Sequence, residues 1–136
     1  MAVVSVDLVS LILRVAVGAA LVIHGVPKVK GGWGAQSGQW VGTMGVPPFA
    51  ARLVTLLEFF GGIFLIVGFL VPLVAALLVI QFAAIILMKV SKMKANFLGA
   101  GGKPGFEIDF TYLLLVLAIL LIGSGAFSVD ALIGIV

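Results

Sequence analysis

A chain of 136 residues with 63% hydrophobic and 10% charged side chains, and a mean hydropathy of +1.40, is too apolar to cover itself for water. Soluble domains carry about 25% charged residues, so the composition excludes that class and points to one integral membrane domain. The formal charge of +3 arises from eight basic residues set between apolar runs, a topology signal and not a nucleic-acid footprint.

A spanning helix needs about 20 mainly apolar residues. The first such run, Leu8 to Val26, lacks a basic region before it and carries Arg14 inside it, so it reads as a retained span and not as a secretory signal. In the following segment Trp33, Trp40 and Met44 recur at about helical spacing among Gly, Gln and Ser, which suits a short helix or loop in the membrane interface. Gly45 ends that segment, and Pro47 and Pro48 begin the second helix, where a missing N–H costs little.

The second and third spans, Leu53 to Val71 and Leu73 to Lys89, are separated by little more than Pro72, which makes them a tight antiparallel hairpin. A lysine-bearing loop follows, and then a shorter fourth run, Ile108 to Gly123, which Phe106 and Ala126 can extend. The fold class expected is therefore all-α, a bundle of four transmembrane helices forming a single domain over residues 1–136. Seven of the eight basic residues (Lys28, Lys30, Arg52, Lys89, Lys92, Lys94 and Lys103) fall in the two loops on one side. The positive-inside rule makes those loops cytoplasmic, with both termini outside a plasma membrane.

No cysteine is present and His24 is the only histidine, which removes disulfides, thiolate metal sites and a bis-His haem from a single chain. No haem or metal is expected. Each ionisable group inside a span costs about 2.5–3.5 kcal/mol on insertion scales and needs a partner or a route to water. Alternating helix directions bring His24, Lys28, Glu58, Lys89, Glu107, Asp109 and Tyr112 to one membrane face.

Glu58 is the deepest acid, about 7–8 Å inside that face at 1.5 Å per residue. It reads either as a carboxyl that joins helices or as a proton-handling group. Gly61 and Gly62 share its helical face and admit either a packed helix or a flat ligand. His24 and Lys28, four residues apart, form one edge of a polar pocket or are simply solvated. Arg14, about 15 Å from His24 along the same helix, belongs to the other half of the membrane. It either reaches Asp7 or pairs inside the bundle with an acid or with Gln81, itself placed for an interhelical hydrogen bond. Lys89, Lys92 and Lys94 read as a topology-setting basic rim.

The run HGVPK at His24 to Lys28, MGVPP before the second span, LLEFFGG around Glu58, GFE at Gly105 to Glu107 and GAFSVD ending at Asp130 together resemble the DoxX family over nearly the whole chain. The resemblance implies a four-helix membrane protein similar to subunits of quinol oxidase and thiosulfate:quinone oxidoreductase systems. It also implies a quinone as cofactor, and a partner subunit for any sulfur chemistry, because this chain has no thiol. On that view Glu58 and His24 carry protons, Lys28 or Tyr112 polarises a quinone carbonyl, and Trp33 or Trp40 stacks on the ring. Glu107 and Asp109 are polar residues of the structural frame. Two other readings stay open: a small transporter or channel-like homodimer with Glu58 and Arg14 lining a path, and a non-catalytic membrane anchor for a partner.

Overall fold

The computed structural model describes residues 5–30, 47–101 and 103–135. The interfacial segment expected around Trp33 and Trp40 lies outside these described residues. Among the described residues five helices follow in order: α1 (Val6–Lys30), α2 (Pro48–Val67), α3 (Val71–Lys92), α4 (Glu107–Ile122) and the single turn α5 (Val129–Leu132). A two-residue ribbon, β1 (Gly99–Ala100) paired antiparallel with β2 (Lys103–Pro104), interrupts the loop between α3 and α4.

Residues Val6–Pro27, Pro48–Val67 and Val71–Lys92 form helices long and apolar enough to cross a membrane. The protein is thus a helical membrane protein. Helix α4 has 16 residues, about 24 Å of rise, and is short of the roughly 30 Å hydrocarbon core.

Proline chemistry sets two helix starts. Pro47 takes the N-cap of α2 and Pro48 its first position, while Pro72 lies in the first turn of α3. Between α2 and α3 the chain turns through Gly68 and Leu70, both left-handed at φ 79° and 51°. Glycine takes that conformation freely, whereas leucine takes it at a cost that neighbouring bonds must offset.

The helices form a ring in which α1 packs mainly on α2 and α3 mainly on α4, with thinner seams between α2 and α3 and between α1 and α4. Leu21, Leu65, Val71, Ala75, Leu78, Val116 and Ile119 fill its centre. The α1–α2 seam is close because Gly18 and Gly62 face each other. A Cβ on Gly62 would lie 2.7 Å from the Gly18 carbonyl oxygen, and one on Gly18 would lie 2.5 Å from that of Gly62. Large apolar side chains such as Ile12, Ile80, Leu87 and Leu121 point outward, as a lipid-facing surface requires.

Candidate functional site

Polar residues gather at the two opposite ends of this bundle. At the end that holds the α2–α3 turn they form a closed clamp. Arg14 and Asp130 are completely buried there. The Arg14 guanidinium donates to the carbonyl of Leu65 in the last turn of α2 at 3.0 Å and to that of Phe127 at 2.6 Å. The Asp130 carboxylate accepts from the N–H groups of Leu70 at 2.7 Å and Val71 at 3.0 Å, and from the Ser124 hydroxyl at 2.6 Å.

Helix α3 has no acid in its first turn and no side-chain cap from its own N-cap residue. Asp130, 60 residues further on, supplies the missing acceptor, and its charge opposes the positive end of the α3 dipole as Arg14 opposes the negative end of α2. Each charge therefore sits on the helix terminus that suits it, and each attracts the other. Burial pushes the Asp130 carboxyl up, but the bonds from Ser124, Val71 and Leu70 and the nearby Arg14 charge outweigh it and hold the group below its ordinary value. Those bonds also hold Leu70 in its left-handed conformation.

Ser10 completes the clamp by donating to the carbonyl of Gly123 at 2.8 Å. Neither named partner expected for Arg14 is the one it has. Asp7 instead accepts the backbone N–H of Ala126 at 2.9 Å, and Gln81 lies at the other polar centre. The guanidinium bonds instead to backbone carbonyls and to Ser10, and the acid that acts on it, Asp130, does so by electrostatic attraction.

The second polar centre is open. Its core is Glu58 of α2, which is 3% exposed and accepts a 3.1 Å hydrogen bond from the Gln81 side-chain amide of α3. The other amide atom, Gln81 Oε1, is buried with no hydrogen-bond partner among the described residues. Helix α2 starts at Pro48, as the prolines predict, so Glu58 lies ten residues, about 15 Å, along its helix.

A cavity of about 180 Å³ adjoins Glu58 and is lined also by Leu21, His24, Phe82, Ile85, Lys89, Ile108, Asp109 and Tyr112. Tyr112 is fixed by stacking on Phe82, with ring centroids 5.2 Å apart and planes within 10°. His24 approaches the edge of Tyr112 from α1 at 6.3 Å. Lys89 turns from the end of α3 toward α4, where it pairs with Asp109 at 2.6 Å. Lysine in the last turn of α3 and aspartate in the first turn of α4 each suit the local helix dipole, which favours this pair beyond its own Coulomb attraction.

A second, larger groove of about 360 Å³ runs between α1 and α4, lined by Leu13, Ala16, Val17 and Ala20 on one side and by Glu107, Ile108, Thr111, Tyr112 and Leu115 on the other. It exists because the alanines at this seam leave the helices little to interlock. Ile108 and Tyr112 line both spaces, so the apolar groove and the polar cavity share a wall.

The structure brings Glu58, His24, Tyr112 and Asp109 to one cavity, and places Glu107 at the end of the adjoining groove. Lys28 lies one turn beyond His24 in α1, and its side chain is outside what the structure describes. Gly61 and Gly62 are taken up by helix packing: Val74 of α3 stands against Gly61, and α1 fills the room at Gly62 that a flat ligand would need. Lys89, brought to this face by the helix directions but read from sequence as part of a basic rim, lines the cavity, a role that reading did not give it. Its signal was the facing Asp109, which becomes a partner only once α3 and α4 pack together. No group of three or more His, Cys, Asp or Glu placed to hold a metal occurs among the described residues.

The DoxX family sequence model matches residues 9–90, which covers α2 and most of α1 and α3. A Bacillus subtilis (strain 168) protein named "Putative oxidoreductase CatD" is 29% identical over 126 residues, spanning 93% of this chain and 87% of its own. The Escherichia coli (strain K12) "Inner membrane protein YqjF" is 31% identical over 126 residues, 93% of this chain and 92% of its own. No solved structure gives a significant match.

Proposed function

The chain belongs to the DoxX family, and from that premise we propose that it is a quinone-handling membrane component of an oxidoreductase, working with a partner that carries the electrons. The observation that supports this reading is the shared wall between the groove and the cavity: an amphiphile with a small polar head and an apolar tail matches that pair of spaces. A bound quinone takes up two electrons and two protons to become the quinol. The electrons come from the partner, because this chain has neither thiols nor more than one histidine.

The chain's own residues bind, orient and exchange protons. Ala16 and Ala20 leave room for the tail, and the Tyr112 ring, held by Phe82, orients the head. Glu58 and His24 are the proton carriers at the cavity, consistent with the capacity of carboxyl and imidazole groups for general acid–base work. Helix α4 completes a fourth, short span, with the lysine-bearing loops cytoplasmic and both termini outside. The relative named as an inner membrane protein supports the plasma membrane as its location. The transport alternative loses one of its two charges, because Arg14 is bonded into the clamp.

Purification in mild detergent followed by solvent extraction and mass spectrometry tests the reading. A quinone retained at about one per chain is expected, and Ala20→Phe, which fills the groove without entering the cavity, should abolish its retention. If purified protein neither retains nor binds quinone, the quinone reading is wrong and the anchoring role takes its place.

A further inference from the structure

A third space of about 270 Å³ lies outside the Glu58 cavity, walled by Phe97, Leu98, Gly105 and Glu107 together with His24, Lys89, Ile108 and Asp109. The last four residues also line the inner cavity, so the two spaces abut across them. The outer one is a vestibule. Leu98 is 75% exposed at its rim, and Phe97 packs edge-on against Phe106 and Phe110 to hold that rim against α4.

Of the four shared residues, Lys89 and Asp109 join across the space between α3 and α4. Their side chains are only 15% and 14% exposed and meet at 2.6 Å. The Lys89 ammonium also donates to the Gly105 carbonyl at 3.3 Å, which ties it to the segment that walls the vestibule. The ion pair lies where the two spaces abut, and it is made of groups that water solvates well when the pair parts.

We infer that the Lys89–Asp109 pair is the gate through which water and protons pass between the vestibule and the Glu58 cavity. The inference rests on the proposed function for its purpose: reduction of a quinone consumes two protons, and the apolar groove on the other side of the cavity cannot supply them. The titratable groups that face the gate are His24 from α1, Glu58 from α2, and Glu107 and Tyr112 from α4. His24 lines both spaces, and its imidazole has two nitrogens that can hold a proton.

The chain has no cysteine, so single cysteines report access without background. Ile85→Cys places a thiol in the inner cavity, and Leu98→Cys places one at the vestibule rim. With full-length protein in liposomes or detergent, the water-soluble cationic methanethiosulfonate reagent MTSET should label Leu98→Cys quickly and Ile85→Cys slowly. Lys89→Met added to Ile85→Cys should accelerate labelling by at least about tenfold, the factor given by about 1.4 kcal/mol of lost closure. Lys89→Arg, which keeps the pair, should leave labelling slow. Should Lys89→Met fail to assemble, Asp109→Asn breaks the pair at nearly constant volume and must give the same acceleration.

Labelling of Ile85→Cys that is as fast as at Leu98→Cys with the pair intact, or unchanged when the pair is broken, overturns the gate. A short-chain quinone should protect Ile85→Cys in the open variant. Absence of protection counts against the quinone reading and leaves the labelling rates that define the gate unaffected.

Discussion

The two polar ends of the bundle are built from similar materials and arranged to opposite effect. Each places a cation and an anion between helices in a molecule whose side chains are mostly apolar. At the Arg14–Asp130 end both charges are fully buried, and backbone carbonyls and N–H groups of two helix termini take their remaining hydrogen-bonding capacity. The Glu58 end is less completely filled. A cavity persists, one amide oxygen is left without a partner among the described residues, and the Lys89–Asp109 pair keeps some exposure. Saturation makes a polar cluster structural, because any rearrangement leaves a charge or a helix terminus unsatisfied. A cluster with spare capacity and adjoining space is suited to a ligand or a proton.

The sharpest way to break this comparison is at the clamp. Arg14→Leu removes the charge that attracts Asp130 and leaves the carbonyls of Leu65 and Phe127 without their donor, so a loss of about 3–5 kcal/mol is expected, read as unfolding in detergent titrated with a denaturing surfactant. If that variant unfolds no more easily than the wild type, the clamp is not a structural centre of the fold. Acid probes the same cluster more gently. The Asp130 carboxyl titrates below its ordinary value in the folded protein, so its ionised form stabilises the fold above the unfolded-state pKa of about 3.9. That contribution fades as pH falls through 3.9 toward the lower folded value, and Asp130→Asn should lack this part of the acid-induced loss.

Between the two ends, Gly62→Ala forces a methyl against the Gly18 carbonyl and should cost about 1–3 kcal/mol by overpacking. Gln81→Leu should change stability least, by about 0.6 kcal/mol, because the hydrogen bond it removes is an ordinary interhelical one and the orphaned oxygen goes with it. A cost as large as that of Arg14→Leu would mean that the Glu58 end is as tightly built as the clamp. Activity should invert the order. With the partner present, Glu58→Gln is expected to lower quinone-linked turnover by about 10²–10⁴-fold, the usual contribution of a general acid or base, while the folded fraction stays high.

Much of this was legible in the residues. Apolar runs located the helices, and the prolines at 47, 48 and 72 marked where two of them start. Glu58, His24, Asp109 and Tyr112 could be assigned to one end because antiparallel succession alone brings them there. Hydropathy finds only the apolar part of a helix, from Leu53, whereas α2 begins a turn and more earlier, at Pro48, where the prolines place its start. Asp130 sits in a Ser- and Gly-bearing stretch after the last apolar run, and such a residue reads as solvated until the chain folds back over the α2–α3 turn.

Hydropathy and proline placement act over a few residues, so the sequence by itself determined that this is a helical membrane protein and which polar groups its helices carry to each end. The tertiary structure alone decided which charges meet and which spaces stay empty. Asp130 finds its partners about 60 and 116 positions back along the chain, and Lys89 finds Asp109 only through the α3–α4 contact. Whether a polar cluster is saturated or left with room depends on how side chains from all four long helices fill one volume, a sum that no local pattern contains.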